Sequence, residues 1–177
     1  AMVSIQAGEA EVLKAMAGYS GQVDIAGLNS PRQTVISGDE AAVMAVAAAF
    51  DALGVKTVRL NVSHAFHSAH MESMLEDFRE VALSCDLRRA QIPVVSNLTG
   101  KVATDNELMS ADYWVAHVRG AVRFVDGMRT LEELGVTTLL ECGPQGVLSA
   151  MGAMCVASES ITFIPSLRKR EDEADAM

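Results

Sequence analysis

The order of predicted elements in the first part of the chain restricts its fold more than any other feature. Short runs rich in β-branched residues predict strands, and apolar residues three or four positions apart predict helices. The order βαββαβ is that of ferredoxin-like domains, so residues 1–61 are predicted to form a ferredoxin-like subdomain that is complete in itself. Asp39 is placed to cap its second helix. The strands are predicted at residues 1–6, 23–28, 33–37 and 55–60, and the helices at residues 9–19 and 39–52.

The following residues predict a second unit, in which helices alternate with buried strands. Strands separated by helices pair in parallel, and so few parallel strands cannot cover themselves. Residues 62–165 are therefore predicted to be an incomplete α/β segment, and the fold class is α/β (α+β) overall. Residues 166–177 are expected to be a charged linker or tail. The helices of this unit are predicted at residues 71–84, 111–118, 124–134 and 147–155, and the strands at residues 92–96, 136–141 and 161–165.

Composition excludes several classes of function. The 177 residues have a net charge of −9, which argues against binding to nucleic acid. No apolar run approaches the roughly 20 residues that span a bilayer. The first residues lack a basic segment, so we do not expect them to be a signal peptide. Cys85, Cys142 and Cys155 are odd in number and widely spaced, which indicates reduced, partly buried thiols of a cytoplasmic protein. The chain starts at Ala1 without an initiator Met, and we expect it to be a piece of a longer protein.

Three of the four histidines lie between a predicted strand and a predicted helix, in residues 61–71. A loop between rigid elements can present a side chain to a substrate, and histidine is well suited to proton transfer near neutral pH. His67 is therefore the leading candidate for an acid–base residue. A histidine near a helix start can also simply cap the helix or pack. A zinc site of His64, His67 and His70 is a third interpretation, but this spacing does not place all three on one helix face.

Two further residues are candidates for supporting roles. A histidine that acts as a base needs a neighbour to hold its other ring nitrogen. His117 and Asn97 lie at the ends of predicted elements, from which they could reach His67. The turn at residues 143–146 precedes a helix, and it indicates either an anion site or a tight turn that needs glycine. Glu141, just before it, is either a functional carboxylate or a solvated acid at a strand end.

Several motifs together resemble those of one enzyme family. The segment His64–Met71 reads HAFHSAHM and is similar to the HAFHSxxM signature of acyltransferase domains in modular type I polyketide synthases. The motifs GLNSP with VISG, PVVSN, YWVAHVR with VRF, and ECGP lie in the family's order, so the resemblance extends over residues 1–170. It implies the C-terminal portion of a domain similar to malonyl-CoA:acyl carrier protein transacylase. In that family a ferredoxin-like subdomain is inserted in an α/β-hydrolase-like subdomain.

The resemblance also implies a reaction and roles for residues. A serine in a GHSxG motif attacks the thioester of malonyl-CoA or a relative, and a histidine takes the serine proton. The acyl group then passes to the phosphopantetheine thiol of an acyl carrier protein, and no bound cofactor or metal is implied. By motif match His67 is that histidine, the backbone carbonyl of His117 orients it, and Asn97 supports the site. The resemblance also associates His64, Ala65 and Phe66 with selectivity for malonyl units.

One departure from the family pattern limits what this chain can do. No GHSxG motif occurs in the 177 residues, so the nucleophilic serine is expected to lie outside them and the chain alone is expected to be inactive. The implied partners are malonyl-CoA, the acyl carrier protein, the N-terminal part of the domain and neighbouring polyketide synthase domains. A ferredoxin-like binding module without a catalytic role is the alternative. Such a module has no reason to carry the ordered motifs after residue 61.

Overall fold

The computed structural model describes residues 1–167. Its first part is a four-stranded antiparallel sheet with two helices. The strand order across the sheet is β2-β3-β1-β4. This is the ferredoxin-like topology that the sequence predicts, and the prediction is confirmed. The elements are β1 (Met2–Ile5), α1 (Glu9–Met16), β2 (Val23–Ser30), β3 (Gln33–Gly38), α2 (Glu40–Asp51) and β4 (Thr57–Arg59).

Alternation of side chains along the strands explains why the helices cover one face of this sheet. Val3 and Ile5 of β1 point to the same face and are fully buried with Ile36 of β3. Burial stabilises an aliphatic side chain of this size by about 1.5–3 kcal/mol, so this core dominates the stability of the first part. The residues that the two helices contribute to it are Val12, Met16, Ala42, Val43, Val46, Ala47 and Phe50.

Asp39 occupies the N-cap position of α2, but its side chain does not cap the helix. Its Oδ1 lies 2.6 Å from Nε2 of His70, in the histidine-rich segment that follows β4. The prediction of a side-chain cap is therefore wrong. The carboxylate has a tertiary partner that the local sequence pattern does not contain.

The second part begins with a 3₁₀ helix (Ala69–Met74) and ends with a pair of parallel strands. Strand β5 pairs with β6 from Thr138 opposite Thr162 to Glu141 opposite Pro165. The predicted parallel α/β pairing, and with it the mixed fold class, is confirmed. The elements are α3 (Leu75–Ser84), α4 (Asp105–Leu108), α5 (Ala111–Arg119), α6 (Phe124–Glu133), β5 (Thr138–Glu141), α7 (Val147–Gly152) and β6 (Thr162–Pro165).

Two apolar segments differ from the sequence prediction. The run at residues 92–96 predicts a buried strand, but it forms only an isolated antiparallel bridge between Val95 and Val102, and Ile92 is 77% exposed. Within residues 1–167 no strand lies beside residues 92–94. This run therefore lacks the neighbour that would bury it. In the second segment, the helix predicted at residues 71–84, the apolar spacing predicts that Val81 is on the buried side, but Val81 is 61% exposed.

One face of the β5–β6 pair is open. Leu139 and Phe163 pack with α6, whereas Leu140 and Ile164 alternate to the opposite face and are 62% and 43% exposed. Parallel sheets in globular proteins are almost always covered on both faces. The open face is thus a surface on which further secondary structure can pack.

Strand β2 joins the two parts of the molecule. The N–H of Leu28 donates to the carbonyl of Val122 at 2.8 Å, and the N–H of Val122 donates to the carbonyl of Ala26 at 2.9 Å. Because the two parts share this strand and a core, the predicted boundary between residues 61 and 62 stays a prediction. The buried members of the shared core are Leu28, Val125, Met128 and Cys155.

One of the three cysteines is buried and two are exposed. Burial raises the pKa of the Cys155 thiol to about 11. Cys85 and Cys142 are exposed, so the expectation of partly buried thiols is wrong for these two. None of the helices within residues 1–167 combines the length and hydropathy that a membrane crossing requires. Most of the predicted tail, residues 168–177, lies outside the described residues.

Candidate active site

The segment His64–Met71 forms a tight turn closed by a buried serine. The hydroxyl of Ser68 donates to the carbonyl of Ala65 at 2.6 Å and accepts the backbone N–H of His70 at 3.3 Å. Ser68 is thereby the N-cap of the 3₁₀ helix that begins at Ala69. The serine of the HAFHS motif fixes the direction in which the two residues before it project.

His67 has a backbone conformation that is rare for a residue with a side chain. Its φ is 57°, and it is the one non-glycine residue with positive φ within residues 1–167. The left-handed conformation costs an L-residue roughly 1–2 kcal/mol, and such outliers cluster at functional sites. Its side chain is half-buried, and Nδ1 is buried with no hydrogen-bond partner in the described part of the chain. Ser68 caps the helix, so His67 does not have the capping role that was one alternative.

Helix α5 carries His117 and packs against the 3₁₀ helix that follows His67. His117 lies in the last turn of α5, at the end of the helix predicted over residues 111–118. Its ring centroid is 6.2 Å from that of Tyr113 and 6.0 Å from that of Trp114. Burial lowers the pKa of His117 from its ordinary value of 6.5, and the positive charge of His67 is a second, smaller cause of this decrease. His117 is therefore largely neutral at neutral pH, and the helix that carries it packs against the 3₁₀ helix after His67.

The backbone carbonyl of His117 has no hydrogen-bond donor from its own helix. It belongs to the last turn, where no further turn supplies an N–H group. The nearby N–H of Gly120 donates to the carbonyl of Ala116 at 2.7 Å instead. Since Nδ1 of His67 also has no partner within residues 1–167, the predicted orienting contact between the two residues is not formed in this structure. It stays a prediction.

Asn97 is exposed, and its backbone contacts the start of α6. Its carbonyl accepts the N–H of Arg123 at 2.7 Å, and the hydroxyl of the buried Ser96 lies 2.7 Å from the hydroxyl of Tyr113. Among the residues that the structure describes, no hydrogen bond links the Asn97 side chain to His67. A supporting role for this amide stays a prediction.

The side chains of His64, Phe66 and His70 lie on the exposed side of the turn. Phe66 is 41% exposed, and its ring centroid is 5.7 Å from that of His64. Nδ1 of His64 lies 2.8 Å from the hydroxyl of Ser63, while His70 contacts Asp39. Residues 1–167 contain no group of three or more side chains arranged to hold a metal ion. The zinc interpretation therefore has no support in the described part of the chain.

The turn at residues 143–146 is explained by the carboxylate that precedes it. Glu141 accepts the N–H of Leu148 at 3.0 Å and the N–H of Ser149 at 2.7 Å. Partial burial raises the pKa of Glu141, but these hydrogen bonds outweigh it, so the pKa lies below its usual value. These N–H groups belong to the first turn of α7, where an external anion would otherwise bind. The carboxylate of the chain itself occupies that position.

Sequence reasoning missed two charged residues near the turn, Asp24 and Arg119. Oδ2 of Asp24, in β2, accepts the backbone N–H of Ala69 at 3.0 Å. The same oxygen lies 3.0 Å from Nη2 of Arg119, whose Nε lies 3.4 Å from Oε1 of Glu72. These residues are far apart in sequence, so no local pattern could indicate their contacts. The one sequence signal is an acidic residue within an otherwise apolar strand.

Comparison with known proteins shows which family has this arrangement. The family model described as "Acyl transferase domain" matches residues 1–176. The chain belongs to the acyl transferase domain family. The resemblance to acyltransferase domains of polyketide synthases that the motifs indicate is thereby confirmed.

The curated relatives of this acyltransferase chain are polyketide synthases. It is 50% identical over 159 residues to the spectinabilin polyketide synthase system protein NorB of Streptomyces orinoci, covering 90% of this chain and 7% of the relative. It is 46% identical over 181 residues to the polyketide synthase GfsA of Streptomyces halstedii, covering 100% of this chain and 2% of the relative. The chain thus spans a small fraction of the length of these relatives.

Solved structures of acyltransferases have the same fold. The acyltransferase domain from the second module of the salinomycin polyketide synthase is 47% identical, with a TM-score of 0.94. The match covers 99% of this chain and 41% of that one. A malonyl-CoA:acyl carrier protein transacylase from Xanthomonas oryzae is 29% identical, with a TM-score of 0.86 over 99% of this chain and 56% of that one. The chain therefore corresponds to about half or less of each of these structures.

The lowered pKa of His117 provides a test of the site that does not depend on catalysis. We expect the ring of His117 to titrate below 6.5 in an NMR pH titration. The substitution His67→Gln removes the neighbouring positive charge but leaves the burial, so it should raise the pKa of His117 part of the way to 6.5. His64→Gln, at an exposed position of the same turn, is the control and should leave it unchanged. A pKa of His117 that does not respond to His67→Gln would contradict the close approach of the two rings.

Proposed function

We propose that this chain is the histidine-bearing part of a polyketide synthase acyltransferase domain. In this proposal the domain transfers a malonyl extender unit from CoA to an acyl carrier protein. The observation that carries the proposal is the strained, half-buried His67 beside the neutral His117, in a chain of the acyl transferase family. The strained backbone supports a functional role because a residue that only packs has no need of it.

The first half of the reaction is acylation of a serine. The 177 residues contain no GHSxG motif, so the proposed nucleophile lies in a segment outside them. His67 takes the proton of the serine hydroxyl while the serine oxygen attacks the thioester carbonyl of malonyl-CoA. When the bond between carbon and sulfur breaks, His67 gives this proton to the sulfur of CoA. A malonyl ester of the serine is left.

The second half of the reaction reverses these roles. His67 takes the proton of the phosphopantetheine thiol on the carrier protein, and the thiolate attacks the malonyl ester. The serine oxygen leaves and receives the proton back from His67. Because CoA departs before the carrier protein reacts, one histidine and one serine serve both halves, which is a ping-pong mechanism.

The environment of His67 suits this proton transfer. A histidine that reacts through Nε2 carries its proton on Nδ1, which then needs an acceptor. The free carbonyl of His117 is the proposed acceptor, since the last turn of α5 leaves it without an intrahelical donor. A neutral His117 ring also adds no positive charge beside His67 at the moment when His67 becomes protonated. Asn97 is the proposed supporting residue at the edge of the site.

The proposed substrates and partners are supported by structures of similar proteins. The acyltransferase domain of SpnD, 30% identical with a TM-score of 0.91, was solved in complex with 2-(pent-4-yn-1-yl)malonyl. A malonyl-transacylase that is 27% identical, with a TM-score of 0.85, was solved in complex with a type II polyketide synthase acyl carrier protein. We therefore propose malonyl-CoA as donor, the phosphopantetheine thiol of a carrier protein as acceptor, and other polyketide synthase domains as neighbours. The reaction needs no further cofactor.

Selectivity for malonyl units is proposed to depend on the turn itself. Phe66 projects from the exposed side of the turn, while Ala65 is buried beneath it. His64 contacts Phe66 and limits the directions in which the phenyl ring can turn. A bulky ring beside the α-carbon of the substrate leaves little room for an added methyl group.

The exposed apolar surface of the second part supports the proposed additional segment. Leu140 and Ile164 on the open face of the β5–β6 sheet, and Ile92 in the unpaired run, are exposed although they are large and apolar. Such surfaces mark sites of contact with further structure. The alternative of a small ferredoxin-like binding module explains neither these surfaces nor the match of the acyl transferase family over residues 1–176.

The role of His67 is tested in the complete domain, by which we mean these 177 residues joined to the serine-bearing segment. The substitution His67→Ala removes the base for serine attack and the acid for departure of CoA. General acid–base catalysis contributes typically 10²–10⁴-fold, so the rate of acylation by malonyl-CoA should fall by about this factor. Rapid-quench kinetics with labelled malonyl-CoA measures this rate, and circular dichroism checks that the variant is folded.

The matched control for this experiment is His70→Ala. His70 lies in the same segment, but its contact with Asp39 is about half-exposed. Exposed ion pairs contribute at most about 1 kcal/mol, so this control should lower the rate by less than about fivefold. Equal rates for the two variants would contradict the assignment of His67 as the acid–base residue.

The role of Phe66 is tested by a competition between two donors in the complete domain. Phe66→Ser should retain malonyl transfer and increase the rate with methylmalonyl-CoA relative to malonyl-CoA by about tenfold. This is the low end of the 1–3 kcal/mol that one methylene contributes to discrimination. Phe66→Leu retains an apolar side chain and is the control. If Phe66→Ser changed the rates with both donors equally, Phe66 would not be the selectivity residue.

A further inference from the structure

One carboxylate contacts both elements that present the paired histidines. Oδ2 of Asp24 accepts the backbone N–H of Ala69, two residues after His67. The same oxygen lies 3.0 Å from Nη2 of Arg119, two residues after His117. Asp24 lies on β2, outside the motifs that resemble the acyltransferase family.

We propose that Asp24 is a positioning residue, which fixes the distance between the turn of His67 and the last turn of helix α5. It does not touch the reacting atoms in this proposal and acts through Ala69 and Arg119. The catalytic part of the proposal rests on the function proposed above. The positioning itself is a property of the described residues.

Asp24 is suited to this role because its backbone belongs to a rigid sheet. It pairs with Ser37 of β3, a fully buried residue, and the preceding Val23 packs in the core of the first part. Both groups that it binds also favour a negative charge. The N–H of Ala69 is at the start of a 3₁₀ helix, where N–H groups lack partners, and the guanidinium of Arg119 needs a counter-charge.

The contact between Asp24 and Arg119 is more buried than the contact between Asp39 and His70, which also involves the turn. The side chains of Asp24 and Arg119 are 30% and 31% exposed, whereas those of Asp39 and His70 are 54% and 50% exposed. Charged pairs that are less exposed are screened less by solvent and salt. Arg119 also reaches Glu72 of the 3₁₀ helix at 3.4 Å, which adds a second link between α5 and the segment after the turn.

The effect on catalysis follows from the geometry of proton transfer. A misplacement of about 1 Å in a reacting group can cost about 10²-fold in rate. When the carboxylate is removed, the turn and α5 lose their common contact, and only the longer contact between Arg119 and Glu72 remains. The orientation of His67 relative to the carbonyl of His117 is then held less firmly. Binding of malonyl-CoA should be affected much less, because Asp24 does not face the substrate in this proposal.

The test compares Asp24→Ala and Asp24→Asn with the control Asp51→Asn in the complete domain. Asp51 also accepts a hydrogen bond in the first part, from the hydroxyl of Thr57 at 2.8 Å, but it does not contact the turn. Asp24→Ala should lower kcat for acylation by about 10- to 100-fold and change KM for malonyl-CoA by less than about twofold. Asp24→Asn keeps an acceptor for the N–H of Ala69 but loses the charge that faces Arg119, so its loss should be smaller. Asp51→Asn should change neither constant.

A second measurement separates positioning from a general loss of stability. In NMR titrations well below the unfolding temperature, Asp24→Ala should move the pKa of His117 towards 6.5, because the ring becomes more hydrated and more distant from His67. Asp51→Asn should not move it. A variant that is merely less stable would leave this pKa unchanged.

The outcomes distinguish this inference from the proposed function. If the complete domain with the natural sequence transfers no malonyl group, the proposed function fails, and the titration of His117 still decides whether Asp24 positions the two histidines. If that domain is active but Asp24→Ala behaves like Asp51→Asn in both kcat and the pKa of His117, the positioning role is overturned. If Asp24→Ala does not fold, Asp24→Asn decides by the same two measurements.

Discussion

Strand β2 has neighbours on both edges and in two cores, and the rest of the structure depends on this double contact. One edge pairs with β3 inside the ferredoxin-like sheet, and the other edge binds the backbone of Val122. Ile25 packs against both hydrophobic cores, and Leu28 is buried in the second one. An edge strand normally needs protection from unwanted pairing, and here the segment of the VRF motif provides it. The two parts therefore support each other through one strand.

This arrangement explains how a strained histidine is held in place. His67 has a left-handed backbone that costs roughly 1–2 kcal/mol, and the surrounding structure must offset that cost. The buried hydroxyl of Ser68 closes the turn that contains His67, and helix α5, which carries His117, packs against the 3₁₀ helix after this turn. Hydrogen bonds to charged groups contribute roughly 1.5–3 kcal/mol each, so the contact between Asp24 and the N–H of Ala69 is of the size required.

The ferredoxin-like part could be predicted from sequence because its signals are local. The alternation of Val3 and Ile5 and the helical spacing of Val43, Val46 and Phe50 depend only on the period of each element. The turn around His67 was also predictable, since loops between rigid elements commonly carry functional residues and the ordered motifs resemble one family.

The predictions that failed depend on contacts over long distances in sequence. Asp39 binds His70 instead of capping its helix, and the apolar run from Ile92 has no neighbouring strand within residues 1–167. The contacts of Asp24 join residues that no periodicity connects.

The central claim is that His67 serves a serine that lies outside these 177 residues. Mass spectrometry of the malonylated protein, with peptide mapping of the modified residue, tests this claim most directly. After incubation with malonyl-CoA, the complete domain should carry one malonyl group, on a serine outside residues 1–177, and the isolated chain should carry none. A stoichiometric malonyl group on any residue from 1 to 177 would contradict the account.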